Sequence, residues 1–287
     1  MAKQLRYGIV TPVVTMLPRA HAQWEESAGL AEVERIAVAA ERMGYEFLTC
    51  SEHVAIPEPI AAERGARYWD PLAAFGYLAG RTTTIKFATY VLVLGYHHPL
   101  EIVKRYGTLD VVSDGRLILG VGVGSLEEEF TVLGATFDGR GDIADDALRA
   151  LRAAWGVSMP TYHGTHYRFE AMVIDPIAPR TDLPLWVGGR TARSLQRAQE
   201  LGTGWAPFGL STTEIRRLLG ATACPDGFEV VLQPQHPFDP GGEPDRVTEQ
   251  VERLRNAGAT ALALRFVHHS LDHYLEQLAA MAELNPG

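Results

Sequence analysis

Two patterns of hydrophobic and polar positions alternate along this chain. Short runs of β-branched and other apolar residues are typical of buried strands, and longer runs with apolar positions three to four residues apart are typical of helices. The pattern predicts eight strands, at 6–14, 46–51, 85–94, 116–121, 185–187, 205–208, 228–233 and 261–266. It predicts a helix after each strand, at 30–43, 71–81, 99–112, 126–133, 191–201, 213–219, 246–257 and 271–284.

Strands that alternate with helices are joined by right-handed crossovers and lie parallel in one sheet. Eight such units predict a closed (β/α)8 TIM barrel, here as one domain over residues 1–287. A doubly wound sheet is the competing fold, and it would carry a glycine fingerprint where this chain has Thr11-Pro12-Val13-Val14. The region 134–182 breaks the rhythm with one helix at 143–155 and a hairpin at 162–174, so we interpret it as an insertion in a βα loop.

Composition narrows the class of protein. The 26 basic and 35 acidic residues give a net charge of −9, which argues against a general nucleic-acid binder. A hydrophobic fraction of 46% excludes disorder for most of the chain, and no apolar run approaches the roughly 18 residues of a membrane span. The two cysteines, Cys50 and Cys224, are too few for a disulfide framework, and a signal-peptide pattern is absent. We expect a cytoplasmic protein with no membrane or nucleic-acid partner.

In a (β/α)8 barrel the active site lies at the carboxyl ends of the strands. Ser51-Glu52-His53-Val54 follows the second strand, so His53 should face the barrel mouth, where a histidine can act as general acid or base. A loop or capping role is the alternative for His53, and Glu52 would be a structural partner or would tune His53. His97-His98 follows the third strand, but adjacent histidines rarely face one metal, so we expect contact with solvent or a cofactor tail and no metal site.

Glycines follow the fourth strand in Gly120-Val121-Gly122-Val123-Gly124-Ser125. The spacing differs from the dinucleotide fingerprint, which needs a third glycine three residues after the second. Gly122, Gly124 and Ser125 would let a flat ring or a sugar approach the backbone, and tight strand–helix packing is the alternative. The next helix begins with Glu127-Glu128-Glu129, which favours the helix dipole but would repel a phosphate.

The fifth strand is followed by Gly188-Gly189-Arg190-Thr191, which opens a helix. Free main-chain N–H groups, the Thr191 hydroxyl and the arginines Arg190 and Arg193 would converge there, which favours a phosphate site. A surface turn with solvated arginines is the alternative. Among the aromatic residues near these loops, Trp205 and Trp69 are the candidates for contact with a ligand.

Four segments have a distinctive sequence: Ser51-Glu52-His53-Val54, Thr89-Tyr90-Val91-Leu92-Val93-Leu94 through Pro99, Leu109-Asp110-Val111-Val112-Ser113-Asp114-Gly115-Arg116 into the glycine run through Phe130, and Leu185-Trp186-Val187-Gly188-Gly189. Together they resemble the luciferase-like monooxygenase superfamily, in particular its branch that uses the deazaflavin coenzyme F-420. The resemblance covers about residues 5–210.

The resemblance implies a flavin ring in the barrel mouth, backed by a non-proline cis peptide bond that would fall here at Tyr90–Val91. It implies that His53 is the catalytic histidine and that the Gly188-Gly189 turn holds the cofactor phosphate. Family members are often homodimers, so we expect a homodimer. The sugar-phosphate dehydrogenases of the family have a catalytic glutamate where this chain has Ser125, so we do not expect their substrate.

The expected function is an oxidoreductase that transfers a hydride between F-420 and a small organic substrate, with His53 supplying or accepting the matching proton. An FMN-dependent two-component monooxygenase, an epimerase that uses a transient hydride, and a non-catalytic flavin- or deazaflavin-binding protein are the alternatives.

Overall fold

Eight parallel strands form the centre of the structure, a computed structural model that describes residues 4–18 and 20–284. The strands are β1 (Arg6–Val10), β2 (Phe47–Cys50), β3 (Lys86–Thr89), β4 (Leu117–Gly122), β5 (Leu185–Gly188), β6 (Gly204–Ala206), β7 (Glu229–Leu232) and β8 (Ala261–Leu264). Each strand pairs with the next, β8 pairs with β1, and the pairing of β4 with β5 completes the circle. The sheet is a closed barrel, and the predicted (β/α)8 fold is confirmed.

Helices surround this barrel. They are α1 (Leu30–Arg42), α2 (Glu58–Arg64), α3 (Pro71–Ala79), α4 (Pro99–Val112), α5 (Glu127–Val132), α6 (Arg140–Ala154), α7 (Ala192–Leu201), α8 (Thr212–Gly220), α9 (Pro244–Asn256) and α10 (Leu271–Glu283). Within the described residues, none of these helices combines the length and the apolar character that crossing a membrane requires.

The region 134–182 is an insertion only in part. Helix α6 packs between α4 and α7 and so occupies the place of the ring helix that follows β4. Its buried face includes Ala147, Leu148 and Leu151, which is why it belongs to the core and not to an added loop. The interpretation of the whole region as an insertion is therefore wrong for α6. The added elements are α5 before it and the short antiparallel strands Tyr162–His163 and Arg168–Phe169 after it.

Most predicted element bounds agree with the structure, and the first and third strands differ from it most. The first strand ends at Val10 because the chain turns at Val13, which has a φ of 72° and donates its N–H to Oε2 of Glu25 at 2.8 Å. The third strand ends at Thr89, and a short strand, Leu92–Val93, pairs with β4 beyond it.

Side chains alternate between the inside and the outside of the barrel. Small and aromatic residues fill the inside: Phe47, Ala88, Ile118, Trp186, Ala206, Val231, Ala261 and Ala263, which we call the inner cluster. The rings of Phe47 and Trp186 meet edge to face with their centres 5.1 Å apart. Residues on the other face of each strand, such as Leu48 and Val187, pack against the helices in a larger outer layer.

The amino ends of the strands carry a network of ion pairs, which we call the barrel base. Glu46 accepts hydrogen bonds from Arg6 at 3.1 Å and from Nζ of Lys86 at 2.7 Å. Glu229 accepts from Arg6 and from the Trp186 indole N–H. Each cation of the base therefore has a carboxylate partner inside the protein.

Candidate active site

Three glycines of β4 and β5 surround Val91, and we call this group the glycine floor (Gly120, Gly122, Gly188 and Val91). A Cβ atom added at Gly122 would lie 2.7 Å from Cγ2 of Val91, and one added at Gly188 would lie 3.1 Å from its Cγ1. The absence of side chains at Gly122 and Gly188 therefore leaves the space that the Val91 side chain occupies. The peptide bond Tyr90–Val91 is cis, as the resemblance predicts. That the floor contacts a cofactor ring remains a prediction.

Tyr90 lies beneath this floor and is held by β2. Oγ of Ser51 donates to the main-chain oxygen of Tyr90 at 2.8 Å, and the Tyr90 N–H donates to the oxygen of Cys50 at 2.8 Å. Burial raises the pKa of the Tyr90 hydroxyl, and the neighbouring Gln233 side chain opposes this effect. The hydroxyl is buried without a hydrogen-bond partner among the described residues, and the half-buried Tyr90 packs against the inner cluster.

His53 lies in the loop after β2, at the edge of the mouth. Its Nδ1 is 2.7 Å from Oε2 of Glu129, and the Glu129 carboxylate is completely buried. An ionised carboxylate can only accept hydrogen bonds, so Nδ1 carries a proton and Nε2 is left for a ligand. The Tyr68 ring packs edge-on against the imidazole, with ring centres 4.5 Å apart. Glu129 and Tyr68 thus give His53 one tautomer and one orientation.

The Glu129 carboxylate accepts four hydrogen bonds, which keep this arrangement in place. Besides His53, the hydroxyl of Tyr96 donates to it at 2.7 Å, and the main-chain N–H groups of Val54 and Ala55 donate to its other oxygen. Burial raises the pKa of Glu129, but the hydrogen bonds outweigh burial and hold that pKa below its usual range. Glu129 is therefore ionised at neutral pH, and it fixes the loop that carries His53.

Sequence reasoning did not select Glu129, because it treated the three glutamates at the start of α5 as one acidic turn. Glu127 and Glu128 are exposed, whereas Glu129 is buried. Leu126 and Phe130 are also buried, and a residue three positions after Leu126 and next to Phe130 lies on the same helix face. This helical spacing is the signal that could have identified Glu129.

Glu52, which the sequence offered as a partner of His53, pairs elsewhere. Its carboxylate accepts from the Val93 N–H at 2.7 Å and lies 2.6 Å from Nε2 of His97. Burial lowers the pKa of His97, but Glu52 outweighs burial and raises it. His98 caps α4 by accepting the Leu100 N–H at 3.2 Å. Both histidines thus serve local structure, and no group of three metal-ligating side chains occurs within residues 4–18 and 20–284.

Two arginines border the segment that follows β4. Nη1 of Arg64 donates to Oγ of Ser125 at 3.2 Å, and Nε of Arg140 donates to the main-chain oxygen of Gly124 at 3.1 Å. Gly124 has a φ of 78°, and a Cβ atom there would lie 2.5 Å from the Phe130 ring, so both backbone and space require glycine. The two arginines therefore bring positive charge to the rim near Ser125, beside the exposed carboxylates of Glu127 and Glu128.

The loop after β5 opens α7 with a capping box, in which Oγ of Ser194 accepts the Thr191 N–H at 3.1 Å. Oγ1 of Thr191 accepts the Ser194 N–H at 3.2 Å, which confirms Thr191 as the cap. Gly189 has a φ of 133°, and a Cβ atom there would lie 2.6 Å from Cβ of Ser194. Arg190 is exposed near the Phe208 ring and forms no ion pair with the described residues. These features fit an anion, and the predicted phosphate contacts of Gly188, Gly189 and Arg190 remain predictions.

Arg193 does not join this loop. Its guanidinium is paired with Asp142 and Asp145 of α6. The expectation that Arg193 converges on a phosphate with Arg190 is therefore wrong, because two carboxylates already hold the Arg193 side chain against α6.

Trp205 faces away from the mouth. Its side chain is fully buried in the outer layer, and its indole N–H donates to Oγ of Ser194 at 3.2 Å. Ala206 is the residue of β6 that faces the inside. The prediction that Trp205 contacts the cofactor is therefore wrong, and Trp205 instead supports Ser194 beneath the α7 loop. Trp69, the other aromatic candidate, packs partly buried against the outer layer.

Comparison with known proteins shows the family and the fold of this chain. The family model described as luciferase-like monooxygenase matches residues 11–222. The F-420-dependent glucose-6-phosphate dehydrogenase of Microbacterium testaceum is 28% identical over 185 residues, which are 63% of this chain and 53% of that protein.

Solved structures share the whole fold. A monooxygenase from Streptomyces bottropensis superposes with a TM-score of 0.80 at 19% identity, covering 97% of this chain and 98% of the other. The coenzyme F-420-dependent tetrahydromethanopterin reductase from Methanopyrus kandleri gives a TM-score of 0.75 at 14% identity, covering 98% of both chains. Because the family model covers well over half of its residues, the chain belongs to the luciferase-like monooxygenase family of oxidoreductases.

Proposed function

We propose that this protein transfers a hydride between coenzyme F-420 and a small organic substrate. The observation that carries the proposal is the His53–Glu129 pair, which places an oriented imidazole at the mouth next to the glycine floor. The relative that is an F-420-dependent dehydrogenase supports the choice of cofactor. When bound, the deazaflavin supplies the carbon that donates or accepts the hydride.

The residues at the mouth fit such a cofactor. The glycine floor offers a planar ring only glycine backbone and the Val91 side chain, which a Cβ atom at Gly122 would displace. The α7 loop, with the positive end of a helix and the exposed Arg190, suits a phosphate group. Arg64 and Arg140 add positive charge beside Ser125 and Gly124.

His53 performs the proton step in this proposal. Its Nδ1 proton is held by Glu129, so a proton can move to or from the substrate only at Nε2. The buried carboxylate stabilises the imidazolium that forms when Nε2 takes up a proton. Tyr96 remains protonated, because burial and the Glu129 carboxylate raise its pKa, and so it keeps donating to Glu129.

The cofactor is tested by titrating the protein with F-420 and with FMN in parallel and following fluorescence. Tight binding of F-420 with weak binding of FMN supports the proposal. The reverse result would identify an FMN-dependent monooxygenase, which oxygen consumption with reduced FMN would then reveal. Binding of F-420 without turnover of any ketone, enone or imine, whether neutral or carrying a carboxylate, would indicate a binding protein.

The role of His53 is tested by H53A. We expect kcat for oxidation of reduced F-420 to fall by about 10²- to 10⁴-fold, because general acid–base catalysis is lost. The dissociation constant for F-420 should stay within about twofold, since the cofactor would be held by other loops. H163A is the matched control, because His163 is exposed on the hairpin after α6. Full turnover by H53A would remove His53 from the mechanism.

A further inference from the structure

Arg265 directly follows β8, in register to face the barrel mouth. Ala261 and Ala263 of β8 belong to the inner cluster, and strand side chains alternate, so Arg265 continues on the inner face. Its Nη2 group is 3.3 Å from the main-chain oxygens of Pro234 and Gln235, which follow β7. The guanidinium is therefore held at the carboxyl ends of β7 and β8.

This guanidinium has no anionic partner within the described residues. Nε of Arg265 is buried without an acceptor, and no described carboxylate lies within 4.0 Å. Glu25 borders the same cavity, but its oxygens accept the main-chain N–H groups of Val13 and Ala22. Burial lowers the pKa of Arg265, yet a guanidinium stays charged at physiological pH. A half-buried cation with an unused donor is costly unless an anion binds it.

The place of Arg265 is opposite the glycine floor. In the closed barrel, β8 lies across from β4, which provides Gly120 and Gly122. A cavity of about 40 Å³ borders Arg265 and Val10, which is room for a small polar group. A molecule lying between the floor and β8 would therefore put one end beside Arg265.

We propose that Arg265 binds a carboxylate of the substrate, which makes the substrate a small organic acid and not a neutral ketone or alcohol. A guanidinium offers two parallel N–H donors that match the two oxygens of a carboxylate. That this acid is the substrate of a hydride transfer rests on the proposed function. That Arg265 binds the acid does not depend on the proposed function. Anionic groups of the cofactor share this chemistry, but the α7 loop with Arg190 lies after β5, away from β8.

Benzoate and benzamide are suitable test ligands, because they have nearly the same shape and differ in charge. Their dissociation constants are measured by ligand-observed NMR with the F-420-loaded protein and with the cofactor-free protein. We expect the wild type to bind benzoate about tenfold more tightly than benzamide. R265Q should abolish this preference and leave the benzamide constant within about twofold.

Two other arginines provide controls. R190Q should weaken F-420 binding, measured by fluorescence, and leave benzoate binding unchanged. R216Q removes an exposed charge on α8 and controls for the change in net charge. R265K keeps the charge but cannot form two parallel hydrogen bonds, so we expect benzoate to bind it about threefold more weakly than the wild type.

Several results would overturn the inference. Equal benzoate binding by the wild type and R265Q would overturn it. Loss of F-420 affinity alone in R265Q would also overturn it, because Arg265 would then bind the cofactor and not the substrate. If R265Q does not fold, unchanged benzoate binding by R265K would be decisive against it. If neither F-420 nor FMN binds the wild type, the proposed function fails, and the benzoate preference of the cofactor-free protein still tests Arg265.

Discussion

The two ends of the barrel differ in whether their cations are paired with carboxylates of the protein. At the base, Arg6 and Lys86 are each matched by a carboxylate, Glu46 or Glu229. At the mouth, Arg265 forms no ion pair with the described residues, and the exposed Arg190 likewise forms none. The cations of the base are therefore paired within the protein, whereas the mouth offers unpaired cations and an oriented imidazole to which a ligand would bind.

This difference separates stability from function along the barrel axis. Removing one member of an internal ion pair leaves its partner uncompensated and costs folding free energy, whereas removing a charge that has no internal partner leaves no other charge uncompensated. Substitutions at the mouth should therefore alter binding and turnover more than stability, and substitutions near the base should do the reverse. Three variants test this division.

E129Q should have the largest effect. A glutamine has one acceptor oxygen for the four donors that surround Glu129, so its NH2 group would face donors and disturb the loop of His53. We expect kcat to fall by about 100-fold while the F-420 dissociation constant changes little, because the effect is on orientation. ¹⁵N NMR of His53 should show a single Nδ1–H tautomer in the wild type and a mixture in E129Q.

E128Q is the matched control, because Glu128 is the exposed neighbour of Glu129. Wild-type kcat in E129Q, together with an unchanged ¹⁵N spectrum, would show that Glu129 is not a positioning residue.

G122A should have an intermediate effect, confined to the mouth. The added Cβ atom would lie 2.7 Å from Cγ2 of Val91 and would push Val91 out of the glycine floor. We expect F-420 to bind about tenfold more weakly, since the loss of a flat contact removes roughly 1.4 kcal/mol. Fluorescence titration measures this, and G76A on α3 is the control because a Cβ atom there meets nothing within 4 Å. Unchanged affinity would argue that the ring lies elsewhere.

E41Q should have the smallest effect, on stability alone. Glu41 at the end of α1 accepts the main-chain N–H groups of Thr83, Thr84 and Ile85 just before β3. Burial raises the pKa of Glu41, but these hydrogen bonds outweigh it and lower the pKa to about 2. We expect E41Q to lose about 1 kcal/mol of unfolding free energy at pH 7 and to keep its F-420 affinity.

The pH dependence of E41Q has a definite sign. A carboxylate whose pKa is lower in the folded chain stabilises it above the unfolded pKa, and this contribution is lost as pH falls toward the folded pKa. The difference between wild type and E41Q should therefore be constant near neutrality and shrink from about pH 4.5 to about 2. Urea unfolding at several pH values measures it, with the exposed Glu63→Gln as control. A pH-independent difference would contradict the assignment.

The fold was predictable because its information is local. Apolar runs marked each strand, and Gly44 and Gly258 marked the ends of α1 and α9 in the sequence. The early end of β1 was not predictable, because the N–H of Val13 is held by Glu25, twelve residues further on.

The site was predictable only where position on a strand end suffices, as for His53. Strand β6 has only three residues, which is too few to show from the sequence which side chains face the inside of the barrel. The sequence therefore favours Trp205 as a cofactor contact, although Ala206 is the residue that faces inside. The contact between His53 and Glu129 joins residues 76 positions apart, and only folding brings them together. The predicted phosphate contact of Arg193 fails for the same reason: its acidic partners lie about 50 positions earlier, on α6, and only folding brings them next to it.

The hydrogen bonds of Glu129 have a consequence for exchanging parts between relatives. The Glu129 carboxylate on α5 accepts the main-chain N–H groups of Val54 and Ala55. These hydrogen bonds join the segment after β2 to the segment after β4, so the position of each segment depends on the other. A chimaera that exchanges only the α5 segment for one without this carboxylate would leave the N–H groups of Val54 and Ala55 without their acceptor. A chimaera that exchanges only the segment after β2 would leave the buried Glu129 charge without its donors. The two loops should therefore be inherited, and engineered, as a pair.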